Sequence, residues 1–115
     1  MSPGILVVDD DAEFGLVTAE TLRAADHVVT YAANGEAAFE VLRHGYLPHL
    51  IILDWRMPGV SGREFLEGVK VSKLFERIPI IVASAERPLD VGWLVFVAKP
   101  LESDELLALV RRYAR

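Results

Sequence analysis

At 115 residues the chain is long enough for one hydrophobic core and too short for two, so a single domain over residues 1–115 is expected. Its 52% apolar and 25% charged residues exclude a natively disordered chain, and a net charge of −5 argues against a nucleic-acid partner, whose phosphates need a basic face. The absence of cysteine excludes disulfides and thiolate metal sites, and no apolar run approaches the ~20 residues of a membrane span, so no membrane partner is expected.

Met1-Ser2-Pro3-Gly4 lacks the basic start of a signal peptide, which makes a cytoplasmic location the expectation. It leads at once into Ile5-Leu6-Val7-Val8, an unbroken apolar run that reads as a strand covered on both faces. Three acids close that run: Asp9, Asp10 and Asp11. Over residues 12–25, Phe14, Val17, Thr21 or Leu22, and Ala25 recur at helical spacing and predict an amphipathic helix with one of the aspartates as its N-cap. Asp11 suits the capping role better than a ligand's. His27 to Tyr31 is β-branched and aromatic, a second strand. Asn34-Gly35 then opens a short helix over Ala37, Ala38, Val41 and Leu42 that ends near Gly45.

Leu50-Ile51-Ile52-Leu53 is the central strand, and it too ends in a carboxylate, Asp54, before Pro58-Gly59 turns the chain. Ser61 and Glu64 stand three apart just ahead of Phe65 and Leu66, the spacing of a capping box for a third helix reaching about Leu74. Pro79 to Ala83 is a fourth buried strand, ending in Ser84, and Leu94 to Ala98 a fifth, followed by Lys99-Pro100. Ser103, Asp104 and Glu105 begin a last helix with Leu106, Leu107, Val110 and Tyr113 on one face. Arg111, Arg112 and Arg115 near its end complement the helix dipole.

Strands alternating with helices predict an α/β fold, a parallel sheet wound by right-handed crossovers. One connection breaks the rhythm. Only eight residues, Ala85 to Gly92, separate Ser84 from Trp93, whereas a crossover with its helix usually takes about a dozen or more. The fourth helix is therefore expected to be truncated or missing.

Four strand tips thus carry polar groups: Asp9 and Asp10, Asp54, Ser84 and Lys99. In open α/β sheets the carboxyl ends of the strands form the ligand crevice, so these groups are expected to share one rim. Two unit charges about 4 Å apart repel by about 4 kcal/mol at an effective dielectric near 20, and clustered carboxylates need something to offset that. A divalent cation with oxygen ligands does so, and Mg²⁺ suits a site that keeps waters and accepts phosphate. Lys99 adds a mobile positive charge and Ser84 a hydroxyl donor, both suited to a tetrahedral anion. The set points to phosphoryl chemistry with an aspartate nucleophile. His27, His44 and His49 are scattered without metal-ligand spacing.

Along essentially its whole length the chain resembles the receiver domain of bacterial two-component response regulators. Val7-Val8-Asp9-Asp10, Leu53-Asp54 with Met57-Pro58-Gly59, Ala83-Ser84-Ala85 and Lys99-Pro100 carry the resemblance, in that order and on those strands. It implies a flavodoxin-like five-stranded sheet of order 2-1-3-4-5 and phosphorylation of Asp54 by a sensor histidine kinase. It also implies Mg²⁺ held by Asp9, Asp10, Asp54 and the backbone carbonyl of Arg56, with Asp9 acting largely through metal-bound water. Ser84 and Lys99 would contact the phosphoryl group, and Phe96 occupies the switch-aromatic position.

The short fourth connection departs from the family, whose full fourth helix contributes to a common output face. Its loss is expected to uncover sheet surface near Trp93 and Phe96 for a downstream partner or a second copy of the chain. The competing reading is a pseudo-receiver, an interaction or dimerisation module of the same fold uncoupled from phosphorylation. A phosphohydrolase with an aspartate nucleophile would place a second acid two residues on, where this chain has Arg56, so no enzyme turnover is expected beyond self-phosphorylation from small donors and loss of the phosphoryl group.

Overall fold

Nine elements lie among the residues that a computed structural model describes, 4–57, 59–72, 77–85, 95–99 and 102–113, and they follow the order that the sequence predicts. They are β1 (Ile5–Val8), α1 (Ala12–Ala24), β2 (Val29–Ala32), α2 (Gly35–Arg43), β3 (Leu50–Leu53), α3 (Gly62–Lys70), β4 (Ile80–Ser84), β5 (Val95–Ala98) and α4 (Ser103–Tyr113). The strands form one parallel sheet of order β2-β1-β3-β4-β5, the flavodoxin-like architecture. Four helices lie among the described residues. The connection from β4 to β5, where a truncated helix is expected, falls outside them beyond Ala85.

Both faces of β1, β3 and β4 are covered, which is why these strands are continuous apolar runs. On one face Leu6, Val8, Ile51, Leu53 and Ile80 pack with Ala38 and Leu42 of α2 and with Phe65, Leu66 and Val69 of α3. On the other, Ile5, Val7, Leu50, Ile52, Ile81 and Ala83 pack with Ala19 and Leu22 of α1 and with Leu106 and Val110 of α4. Neighbouring residues of one strand serve opposite cores, as the period of two requires.

The predicted face of α1 is the clearest correction. Gly15, Thr18, Ala19 and Leu22 are buried, whereas Val17 is 57% and Leu16 48% exposed and Ala25 lies on the surface. Small residues let this helix lie close to the sheet, so the buried stripe is less apolar than the one beside it. Gly15 sits under the ring of Tyr31, which a Cβ there would overlap.

Helix starts follow their capping residues. Asp11, Asn34 and Ser61 accept hydrogen bonds from the backbone of Phe14, Ala37 and Glu64, and the Ser61–Glu64 capping box is complete in both directions. The ends are less legible. β2 begins at Val29 rather than His27, because Asp26 takes a left-handed φ of 70° and the His27 amide closes the turn on the Leu22 carbonyl. α3 ends at Lys70, with Val71 as its C-cap; Leu74, its predicted limit, lies outside the described residues. No helix among the described residues is long and apolar enough to cross a membrane.

Candidate functional site

The order of strands reverses at β1, with β2 on one side and β3, β4 and β5 following on the other. Ligand crevices of open α/β sheets form at such a point, beyond the carboxyl ends of the strands. Val8 pairs with Leu53, and the Asp54 amide donates to the Val8 carbonyl at 2.8 Å. The next residue on each strand, Asp9 and Asp54, therefore emerges side by side with the other. Oxygens of Asp9, Asp10 and Asp54 all lie within 4.8 Å of one another. Asp9 is 2% and Asp54 6% exposed, whereas Asp10 is open to solvent.

β5 brings the fourth charge. Ala98 pairs with Ser84, and the Lys99 amide donates to the Ser84 carbonyl at 3.1 Å, which delivers the lysine to the same rim. Its Nζ lies 2.8 Å from Asp9 Oδ2, 3.8 Å from Asp54 Oδ1 and 4.3 Å from the centroid of the Phe14 ring. The side chain of Lys99 is only 15% exposed.

One ammonium does not balance three carboxylates. The Asp54 carboxyl is pushed up to about 7, first by its burial, then by the hydrogen bond to Asp10 and the charge of Asp9, with Lys99 pulling the other way. Tyr31 is also raised, by burial and then by the charges of Asp9, Asp10 and Asp11. Among the described residues the acid set is therefore short of positive charge. A group of oxygen donors, two of them buried, fits a hard divalent cation in both chemistry and charge.

Three supporting residues went unread in the sequence. The Tyr31 hydroxyl donates to the Asp9 carbonyl at 2.7 Å, while the Asp11 amide donates to Asp9 Oδ1 at 2.9 Å, so both ends of Asp9 are held. Gly62, at the start of α3, donates to the Trp55 carbonyl at 3.0 Å, and a Cβ on it would lie 2.6 Å from Trp55 Cα and 2.8 Å from the Asp54 carbonyl oxygen. Phe14 faces Lys99 instead of the core. A glycine directly after a helix cap was a usable signal for Gly62. The others depend on which elements become neighbours.

Of the remaining candidates, Ser84 is 2% exposed at the end of β4. Arg56 is exposed two residues past Asp54. Phe96 is half-buried; because Val95 and Val97 join the α1–α4 core, alternation turns it toward the other face. Trp55 packs at the edge of the α2–α3 core beneath the Arg63 guanidinium, whose Cζ lies 5.5 Å from its ring centroid.

The chain matches the family model of the response regulator receiver domain over residues 5–111. It is 34% identical to the phosphate regulon transcriptional regulatory protein PhoB of Rhizobium meliloti, an alignment covering 100% of this chain and 53% of that protein. It is 32% identical to sporulation initiation phosphotransferase F of Bacillus subtilis, over 98% of this chain and 94% of that protein. The chain thus spans about half the length of PhoB and nearly all of the phosphotransferase. The solved structure of Vibrio cholerae chemotaxis protein CheY4 superposes with a TM-score of 0.84 at 26% identity, covering 98% of this chain and 99% of that one. With the sheet order 2-1-3-4-5 and an acidic rim at its switch point, the chain belongs to the response regulator receiver domain family of two-component systems.

Proposed function

We propose that the chain, a single domain over residues 1–115, is a Mg²⁺-dependent phosphoacceptor in which Asp54 takes a phosphoryl group from a sensor histidine kinase. The supporting observation is the convergence of Asp9, Asp10, Asp54 and Lys99 on one strand-end rim, with carboxylates in excess of cations among the described residues. The phosphotransferase among the relatives adds weight to phosphoryl chemistry.

Asp9, Asp10, Asp54 and the backbone carbonyl of Arg56 would hold the Mg²⁺, which when bound offsets carboxylate repulsion and the charge of the phosphoryl oxygens. In the transfer, an oxygen of Asp54 bonds to phosphorus as the P–N bond of the kinase phosphohistidine breaks. The imidazole keeps the electron pair and takes up a proton. Asp54 must be ionised to attack, so the same positive charges that lower its raised pKa also make it a nucleophile. Lys99 is close enough to exchange its carboxylate partners for a phosphoryl oxygen, and the Ser84 hydroxyl would donate to another. Alignment of these groups supplies most of the rate, since phosphoryl transfer asks little covalent chemistry of the protein.

The output would be a shift in a pre-existing conformational equilibrium, with Phe96 moving between its half-buried position and a more buried one. Its readers would be a downstream protein or a second copy of the chain at the face of β5, in the cytoplasm. Intact-mass spectrometry after incubation with acetyl phosphate and Mg²⁺ tests the reading. Wild type should gain one phosphoryl mass, and Asp54→Asn or chelated wild type should gain none. A folded wild type that stays unmodified would leave the pseudo-receiver as the better account.

A further inference from the structure

Phe14 has no part in the phosphoacceptor chemistry above, yet it touches Lys99, the ammonium paired with Asp9 and Asp54. Its backbone amide donates to the Asp11 cap at 3.2 Å, which fixes it in the first turn of α1. The centroid of its half-buried ring lies 4.3 Å from Lys99 Nζ, and the same side chain lines a groove of about 420 Å³ between α1 and α4, with Val17, Thr21, Ser103 and Leu106. One ring thus borders both the open groove and a nearly buried ammonium.

The face of an aromatic ring attracts a cation through its quadrupole, and more strongly where water is excluded. We propose that Phe14 is a positioning residue for Lys99, holding the ammonium at the carboxylates of Asp9 and Asp54. The proposal rests on the phosphoacceptor reading for its purpose, but not for its test. If the ring steadies Lys99 on Asp9, it strengthens the competitor that any incoming divalent cation must displace. Removing the ring without opening a cavity should therefore tighten metal binding. A residue that merely braced the start of α1 would do the reverse, because loosening that turn disturbs Asp9, Asp10 and Asp11 together.

The experiment is calorimetric titration of Mg²⁺ into wild type, Phe14→Leu, Phe14→Tyr and Lys99→Met, and into the Phe14→Leu/Lys99→Met double variant. Phe14→Leu should bind Mg²⁺ about threefold to tenfold more tightly than wild type, and Phe14→Tyr, which keeps the ring, should match wild type. With Lys99 already replaced, Phe14→Leu should change nothing, the signature of a coupled pair in a double-mutant cycle. Phe14→Met carries the same comparison should the leucine variant fail to fold. Unchanged or weaker Mg²⁺ binding by Phe14→Leu overturns the proposal, as does an effect that persists without Lys99. A wild type that binds Mg²⁺ but takes no phosphoryl group defeats the phosphoacceptor reading and leaves this test standing. A wild type with no Mg²⁺ response defeats both.

Discussion

The Lys99 ammonium is a full ångström closer to Asp9, at 2.8 Å, than to Asp54, at 3.8 Å. Lys99 is therefore committed first to the neighbouring acid and only second to the carboxylate proposed to accept the phosphoryl group. Breaking a buried pair by removing one partner is costly because the other charge remains. Lys99→Met should lower the stability of the metal-free protein by about 1–3 kcal/mol, less than the usual penalty because Asp54 can take up a proton instead. Urea melts in a chelator measure the loss, and Mg²⁺ should restore most of it. Equal stability of the two proteins without metal would mean that Lys99 does not neutralise the rim.

The raised pKa of Asp54 has a signed consequence for stability. In the unfolded chain this carboxyl ionises near 3.8, but in the fold only near 7. The native state then binds the proton more tightly, so the contribution of this group is fully present below about pH 4 and is lost as pH rises toward 7. Asp54→Asn, which cannot ionise, should be nearly neutral at pH 4. At pH 8 it should be about 1–3 kcal/mol more stable than metal-free wild type. Melting both proteins from pH 4 to pH 8 in chelator checks this, and a difference independent of pH would show that the buried carboxylate is not strained by its surroundings. Saturating Mg²⁺ should erase or reverse the advantage, because the asparagine gives up a charged ligand.

How much of this was legible beforehand depends on whether a signal is local. Val8-Asp9-Asp10 and Leu53-Asp54 were readable because a strand buried on both faces is an unbroken apolar run and a carboxylate ends it sharply. Ser61 and Glu64 declared the start of α3 because a capping box is satisfied within four residues. The face of α1 was misread because apolarity was counted where closeness mattered: Gly15 and Ala19 approach the sheet, while Leu16 and Val17 point outward. Phe14 beside Lys99 and Tyr31 on the Asp9 carbonyl join elements distant in sequence, and no spacing rule reaches that far. β5 was found from its composition, yet the side taken by Phe96 came only from the packing of Val95 and Val97 into the α1–α4 core.

Tyr31 offers a test that isolates one hydrogen bond. Its hydroxyl donates to the Asp9 carbonyl at 2.7 Å, at the peptide that leads into Asp10. Phenylalanine keeps the ring over Gly15 and removes only the donor. A net intramolecular hydrogen bond is worth about 1 kcal/mol, so Tyr31→Phe should cost about that in a thermal or urea melt. It should also weaken Mg²⁺ binding by a few-fold, because the Asp9–Asp10 peptide is then free to rotate. A variant with wild-type metal affinity would show that the Asp11 amide and the strand alone hold Asp9.

Gly62 makes the stronger claim, since it concerns backbone against backbone. The start of α3 rests so closely on the end of β3 that a methyl group on Gly62 would lie 2.6 Å from Trp55 Cα and 2.8 Å from the Asp54 and Trp55 carbonyl oxygens. None of these atoms can rotate away, so Gly62→Ala must displace the segment that carries Asp54. Overpacking of this kind costs about 1–3 kcal/mol. A carboxylate moved by a fraction of an ångström should lose metal affinity more than stability, and we expect Mg²⁺ binding to fall by about tenfold. Gly68→Ala is the matched control: its Cβ would meet the Phe39 ring, at 2.6 Å from Cζ, a side chain that can shift. That variant should keep wild-type Mg²⁺ affinity in the same titration. If both alanines left Mg²⁺ binding unchanged, the packing of α3 on β3 would not be what positions Asp54.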